Sequence, residues 1–164
     1  MPKPTEHAPL ICTILTIAAI IGCVIGYFYH LPLVILGVLL PVVAYEIYRT
    51  EGESTRLSSW LMLAVLIAEG IFILFKINFD LGQYLGQNQV YVGGTFVTFG
   101  DIKVLAPTLL AILSAILFAR TAGIYTKWLS VIIFITSFVL IYVIAPSAIS
   151  DLIRAALQRV FYYF

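Results

Sequence analysis

Glu69 is the residue of this sequence whose position is best suited to chemistry. It lies inside the apolar run SSWLMLAVLIAEGIFILFKINF, which begins at Ser58. A carboxyl group in the middle of a bilayer costs several kcal/mol unless something stabilises it, so such an acid marks an ion or proton site by default. The alternative interpretation is structural: a hydrogen-bonded acid that holds helices together. We therefore take Glu69 as a candidate proton or cation site.

Two hydroxyl groups elsewhere are candidate partners for this acid. Thr136 and Ser137 fall near the middle of another apolar run, and we expect one of them to donate a hydrogen bond to Glu69. Glu46 ends a different apolar run at a rim that water reaches, so we interpret it structurally, as a partner of Arg49 or of another group at headgroup level.

The other residue types that carry chemistry are sparse. His7 and His30 lie in a tail and a turn, and no Cys, His, Asp or Glu cluster has metal-ligand spacing. Nucleophile elbows, phosphate-binding loops and paired carboxylates are also missing from the sequence. The basic residues are scattered, whereas a nucleic-acid surface needs them clustered. We expect no enzyme, no cofactor, no metal and no nucleic-acid partner.

Composition predicts the solvent of this chain. Its 164 residues are 62% apolar and only 10% charged, against about 45–50% and about 25% in soluble domains. We predict an all-α polytopic membrane protein, a single integral domain with five spans of the length that crosses a bilayer. The predicted spans are residues 9–28, 33–48, 58–77, 102–119 and 128–145.

Two extramembrane pieces complete the predicted fold. Residues 88–99 form a β-hairpin around Gly93-Gly94, in which Tyr91 pairs with Phe96. A lone two-stranded hairpin is marginally stable, so we expect it to dock on a partner. The third helix is predicted to continue past Lys76 as far as Gly86, because apolar residues keep the helical period there.

Residues 147–164 read as an amphipathic helix in the membrane interface, with Phe161 on its apolar face. Tyr91, Phe96 and Phe161 are therefore candidate partner-docking residues.

Small residues recur every fourth position on two predicted helices. They are Ala18, Gly22 and Gly26 on the first, and Ala111 and Ala115 on the fourth. This spacing lets helix backbones approach closely. The first set faces either another helix of the same chain or a second copy, and we favour the former.

The segment from Asn88 to Trp128 resembles part of the permease subunits of branched-chain amino-acid importers. The resemblance lies in Phe99-Gly100-Asp101, a short apolar helix and then Arg120-Thr121-Ala122-Gly123. It covers about a quarter of the chain. We carry over no residue roles from it, because analogy at this level does not assign function.

Two functions remain open at this point. The first is a non-catalytic subunit that assembles with other membrane subunits or with copies of itself. The alternative is a small transporter or channel that uses Glu69. Lys and Arg counts place the N-terminus in the cytoplasm by a difference of one, five residues against four. We expect a multi-pass protein of the cell (inner) membrane.

Overall fold

The computed structural model describes residues 7–50, 53–76, 90–92, 95–97 and 102–146. These residues form five helices: α1 (Ala8–Tyr29), α2 (Pro32–Arg49), α3 (Glu53–Leu74), α4 (Ile102–Arg120) and α5 (Ile124–Ile144). Two strands, β1 (Val90–Val92) and β2 (Thr95–Val97), lie between α3 and α4. The predicted amphipathic helix at 147–164, with Phe161, lies outside the described residues.

Four of these helices, α1, α2, α3 and α5, are long and apolar enough to cross a membrane. In α4 the stretch Val104–Arg120 is apolar but shorter. Large apolar side chains cover the outside of the bundle, with Leu10 59% and Ile135 57% exposed. Such a surface suits lipid rather than water, so the described fold is compatible with a multi-pass membrane protein.

Four of the helices pack as a ring, and the fifth, α1, packs against two of them. α2, α3, α4 and α5 each pack against the next, and α5 returns to pack against α2. α1 lies against both α2 and α5. The core of the ring contains fully buried side chains from all four members, among them Leu39, Met62, Leu110 and Ile133. α3 therefore has α2 and α4 as its main neighbours.

A tight turn places α1 and α2 against each other. His30 adopts a left-handed conformation with φ 51°, the Leu31 N–H donates to Gly26 O at 3.1 Å, and Pro32 opens α2. A proline at the first position of a helix is favourable because that N–H has no helical partner. The turn fixes which face of α1 meets α2.

Gly22 and Gly26 are the points of closest approach in this pair. A methyl group added at Gly22 would lie 2.6 Å from Val38 Cγ2, and one at Gly26 would lie 2.3 Å from Ile35 Cγ1. Both neighbours belong to α2 of the same chain. This face of α1 is therefore occupied within the chain, as the first of the two alternatives requires.

Helix α3 differs from its prediction at both ends. It begins at Glu53 rather than near Ser58, so a polar turn extends the helix beyond the apolar run. It ends at Leu74, and Lys76 has a left-handed φ of 51°. A non-glycine residue with positive φ ends the helical path, so the predicted continuation through Lys76 is wrong; Gly86 lies outside the described residues.

The start of α5 was also misplaced. The helix begins at Ile124 rather than at Trp128, because only Thr121–Gly123 separate it from α4. Helix ends depend on local capping and are hard to place from hydropathy. The early start brings Tyr125, Thr126 and Lys127 into the helix, and the Tyr125 ring lies 5.2 Å from the guanidinium group of Arg49 at the end of α2.

The two strands pair in antiparallel fashion. Val90 lies opposite Val97, Tyr91 opposite Phe96, and Val92 opposite Thr95. Residues 93–94 and 98–101 lie outside the described residues.

Candidate functional site

Glu69 lies on the buried face of α3. The buried positions of the helix are Ser59, Met62, Leu66 and Glu69, spaced 3, 4 and 3 residues apart. This spacing produces one continuous stripe on an α-helix, and the stripe faces the ring because α3 packs against α2 and α4. Glu69 is 0% exposed, so its carboxyl group is enclosed by protein rather than by lipid.

The carboxyl group of Glu69 has no hydrogen-bond partner among the described residues, at either Oε1 or Oε2. A buried charge without hydrogen bonds or a counter-charge is strongly unfavourable. Within the described residues, the ionised form of Glu69 therefore lacks the stabilisation that a buried charge requires.

The predicted donors to Glu69 are not its partners, and that expectation was wrong. Thr136 Oγ1 donates to Ile132 O at 2.5 Å, and Ser137 Oγ donates to Ile133 O at 2.7 Å. Both hydroxyl groups thus bond to their own helix, α5, whose main neighbours are α1, α2 and α4. Thr136 also lies beside Cys23 of α1.

Glu46 is the second enclosed acid, and its predicted position at a water-accessible rim was also wrong. It is 0% exposed. Thr50 Oγ1 donates to Glu46 Oε1 at 2.9 Å and lies 2.8 Å from the backbone oxygen of Glu46. Oε2 of Glu46 has no hydrogen-bond partner among the described residues. One oxygen of this acid is thus stabilised and the other is not.

Thr50 and Ser59 join this acid to the start of α3. Their hydroxyl oxygens are 3.1 Å apart, and both residues are buried. Ser59 Oγ also donates to Thr55 O at 3.2 Å. The contact fixes the C-terminal end of α2 at the same level as the first turns of α3. We refer to Glu46, Thr50 and Ser59 as the rim cluster.

A cation adjoins the rim cluster. The charge of Arg49 acts on Glu46, and its guanidinium group lies 5.2 Å from the ring centroid of Tyr125 at the start of α5. A guanidinium over an aromatic face is a favourable cation–π contact. Arg49 therefore influences Glu46 through its charge, while the hydrogen bond that the carboxyl group accepts comes from Thr50.

The contact between Thr50 and Ser59 sets the relative depth of the two acids. Glu46 lies four residues before Thr50, about 6 Å at 1.5 Å per residue. Glu69 lies ten residues after Ser59, about 15 Å along the antiparallel α3. The carboxyl groups are therefore separated by about 9 Å along the bundle axis. With Ser59 at the rim, Glu69 falls near the middle of a hydrocarbon core of about 30 Å.

An apolar layer separates the two acids. On α3 the buried residues between Ser59 and Glu69 are Met62 and Leu66. On α2 the nearest buried residues before Glu46 are Val42 and Val43. Apolar side chains of α2 and α3 therefore lie between the levels of the two acids.

The remaining candidate residues are distributed around the bundle. Ala18 is half-buried on α1, and Ala111 is buried. Ala115 is exposed and lines a hollow between α4 and α5. Tyr91 and Phe96 lie opposite each other on β1 and β2. The helix-packing candidates and Glu69 therefore do not form one site.

The rim cluster was not found by sequence reasoning. Thr50 lies four residues after Glu46, which is the spacing of neighbours on one face of a helix; this was the available signal. The contact with Ser59 had no such signal because it depends on how α2 and α3 pack. A second unpredicted bond runs from Trp128 Nε1 to Thr16 Oγ1 at 3.1 Å and joins α5 to α1.

The described residues contain no group of three or more His, Cys, Asp or Glu side chains that could hold a metal ion. Comparison of the chain with protein-family models, curated proteins and solved structures finds no match. The local resemblance to importer permeases therefore receives no support from these comparisons, and functional inference depends on the geometry above.

Proposed function

We propose that this protein is a small membrane transporter or channel in which Glu69 binds a proton or a small cation. One observation carries the proposal: Glu69 is fully enclosed, yet neither carboxyl oxygen has a hydrogen-bond partner among the described residues. An intramembrane acid that served only to join helices would be expected to use its hydrogen bonds for that purpose. An open coordination position on an enclosed acid is what an ion site needs.

The rim cluster is the second binding position for the proton or cation in this proposal. Glu46 offers one unpartnered oxygen, about 9 Å from the level of Glu69 along the bundle axis. An apolar layer that includes Leu66 of α3 with Val42 and Val43 of α2 lies between the two acids and opposes a continuous water path. A proton or cation therefore moves between Glu46 and Glu69 only when this layer opens or hydrates. This requirement would limit the leakage of ions across the membrane.

Ion flux in liposomes tests the proposal. Purified protein is reconstituted with a pH-sensitive dye inside, and flux is followed after a proton gradient or a Na⁺ gradient is imposed. We expect flux with the wild type and its loss with Glu69→Gln. Ser137→Ala is the matched control, because it also removes a buried polar group but on α5. Equal flux with Glu69→Gln, or none with the wild type, would reject the transport function.

Stability separates this function from a purely structural role. Glu69→Leu removes a buried group that lacks hydrogen bonds, which is worth about 1–3 kcal/mol. We expect the variant to be as stable as the wild type or more stable, although it does not transport. If Glu69 instead held the helices together, the same substitution would lower the free energy of unfolding.

Assembly into a larger membrane complex is the second candidate function. It is favoured by the pairing of only two short strands, β1 and β2, in the described part of the sheet, since two strands alone are marginally stable. In this proposal Tyr91 and Phe96, together with Phe161, dock on another subunit or another copy. Native mass measurement after extraction in mild detergent tests it, and a solitary monomer would argue against it.

The proposal includes five spans, with α4 as the fifth, in the cell (inner) membrane and with the N-terminus in the cytoplasm. In this orientation the rim cluster and Arg49 face the cytoplasm, and Lys76 faces the other side. Labelling of single cysteines with a membrane-impermeant reagent at positions 56 and 76 tests the orientation. Labelling of position 56 from outside intact cells would reverse it.

A further inference from the structure

An open hollow lies between α4 and α5 on the outer face of the bundle, away from Glu69. Its volume is about 250 Å³. Its lining consists of Ser114, Ala115, Phe118, Ser130, Val131 and Phe134. The hollow exists because Ala115, which is exposed, contributes only a methyl group between the larger side chains around it.

The walls of this hollow are apolar in effect. Ser114 Oγ donates to Ala111 O at 2.8 Å, and Ser130 Oγ donates to Thr126 O at 2.8 Å. Both hydroxyl hydrogens are therefore used within their own helices. The remaining surface comes from aromatic and aliphatic groups, so the hollow favours a hydrocarbon occupant.

The volume and lining of the hollow fit one hydrocarbon chain. The hollow has a volume of about 250 Å³ and is lined by about one turn of each helix, residues 114–118 and 130–134. One turn rises about 5 Å, so the hollow accommodates a segment of a single extended hydrocarbon chain.

A positive charge lies beside the hollow. The Lys127 ammonium group is 5.7 Å from the ring centroid of Phe118, which is one of the lining residues. The segment from Arg120 to Lys127, RTAGIYTK, contains two basic residues and no acidic residue. The charge therefore lies at the end of the hollow nearest the turn between α4 and α5, where a span would meet the headgroup region.

We propose that this hollow binds an anionic phospholipid, with one acyl chain against Ala115 and the phosphate-bearing headgroup beside Lys127. The apolar walls select the chain, and the cation selects the charge of the headgroup. Basic pockets between membrane helices hold anionic headgroups through the same combination. This site is independent of Glu69 and of the proposed transport.

Native mass spectrometry tests the site. Protein in mild detergent is mixed with equal amounts of phosphatidylglycerol and phosphatidylcholine that carry the same acyl chains. One basic residue near the membrane surface corresponds to a preference of about fivefold. We expect the wild type to retain one phosphatidylglycerol with about this preference.

Variants assign the two parts of the site. Ala115→Leu fills the hollow and should remove the retained lipid, and Val131→Phe fills it from the other wall and should do the same. Lys127→Gln should still retain lipid but without preference for phosphatidylglycerol. Ala64→Leu, at an exposed position on α3, and Arg56→Gln are the matched controls and should behave as the wild type.

Three results would overturn the proposal. The first is a wild type that shows no preference between the two lipids. The second is lipid retention that neither filling variant reduces. The third is a loss of preference in Arg56→Gln equal to that in Lys127→Gln, which would indicate general attraction to the basic side of the protein.

Discussion

The close contact between α1 and α2 at Gly26 leads to a quantitative prediction. A Cβ atom at Gly26 would lie 2.3 Å from Ile35 Cγ1 and 2.7 Å from Ile35 Cδ1. It would also lie 3.3 Å from the backbone oxygen of Leu31, which cannot rotate away. Gly26→Ala should therefore force α1 and α2 apart or push Ile35 out of its buried position.

The expected magnitude follows from two opposing effects. Replacing glycine with alanine inside a helix stabilises the helix by about 0.5–1 kcal/mol. Adding a methyl group to a well-packed contact destabilises by about 1–3 kcal/mol. Gly37→Ala is the matched control, because no atom lies within 4 Å of the added methyl group. Both variants gain the same stabilisation of the helix. The difference between their free energies of unfolding therefore isolates the packing effect, at about 1–3 kcal/mol.

The assay is unfolding in mixtures of SDS and dodecylmaltoside, followed by far-ultraviolet circular dichroism. We expect Gly37→Ala to be the most stable variant and Gly26→Ala the least stable. Gly22→Ala should fall between them, since its nearest neighbour, Val38 Cγ2 at 2.6 Å, is the end of a side chain that has some freedom to move.

Two results would refute this reasoning. If Gly26→Ala were as stable as Gly37→Ala, the contact with Ile35 would not exist in the membrane. If Gly26→Ala instead left the stability unchanged but altered the oligomeric mass, this face of α1 would pair two copies. The second result would revive the alternative that the spacing of Ala18, Gly22 and Gly26 left open.

Two further predictions concern side-chain hydrogen bonds, one at the end of α2 and one between α5 and α1. Thr50→Val removes the only hydrogen bond of the Glu46 carboxyl group among the described residues. It should lower the free energy of unfolding by about 1–3 kcal/mol, whereas Thr13→Val, which loses an exposed bond within α1, should change it by less. Trp128→Phe removes the hydrogen bond to Thr16 and should lower the free energy of unfolding by about 0.5–1.5 kcal/mol. The same unfolding assay measures all three, and a Thr13→Val loss equal to that of Thr50→Val would contradict the burial argument.

Composition and hydropathy were sufficient to predict the class of this protein. An apolar run of sufficient length must form its backbone hydrogen bonds internally, so it becomes a helix whatever its neighbours are. Four of the predicted spans correspond to helices long and apolar enough to cross a membrane. The depth of Glu69 followed from the same local rule, since position along a helix determines distance along its axis.

Helix ends were less predictable because local conformation decides them. Lys76 belongs to a sequence that keeps the helical period, yet its positive φ ends α3 after Leu74. At the other end, polar residues from Glu53 onward continue the helix beyond the apolar run. Hydropathy indicates where the apolar part of a segment ends. Backbone conformation and capping decide where the helix itself ends.

The sequence by itself determined that this chain has several apolar helices and that one of them carries an acid deep along its length. Only the tertiary structure decided which groups surround each acid. Thr136 was expected to face Glu69 but lies beside Cys23, and Glu46 was expected near water but is buried with Thr50 and Ser59. The physical reason is that length and burial tendency are local properties of a segment, whereas the neighbours of a side chain depend on how separate helices rotate and pack.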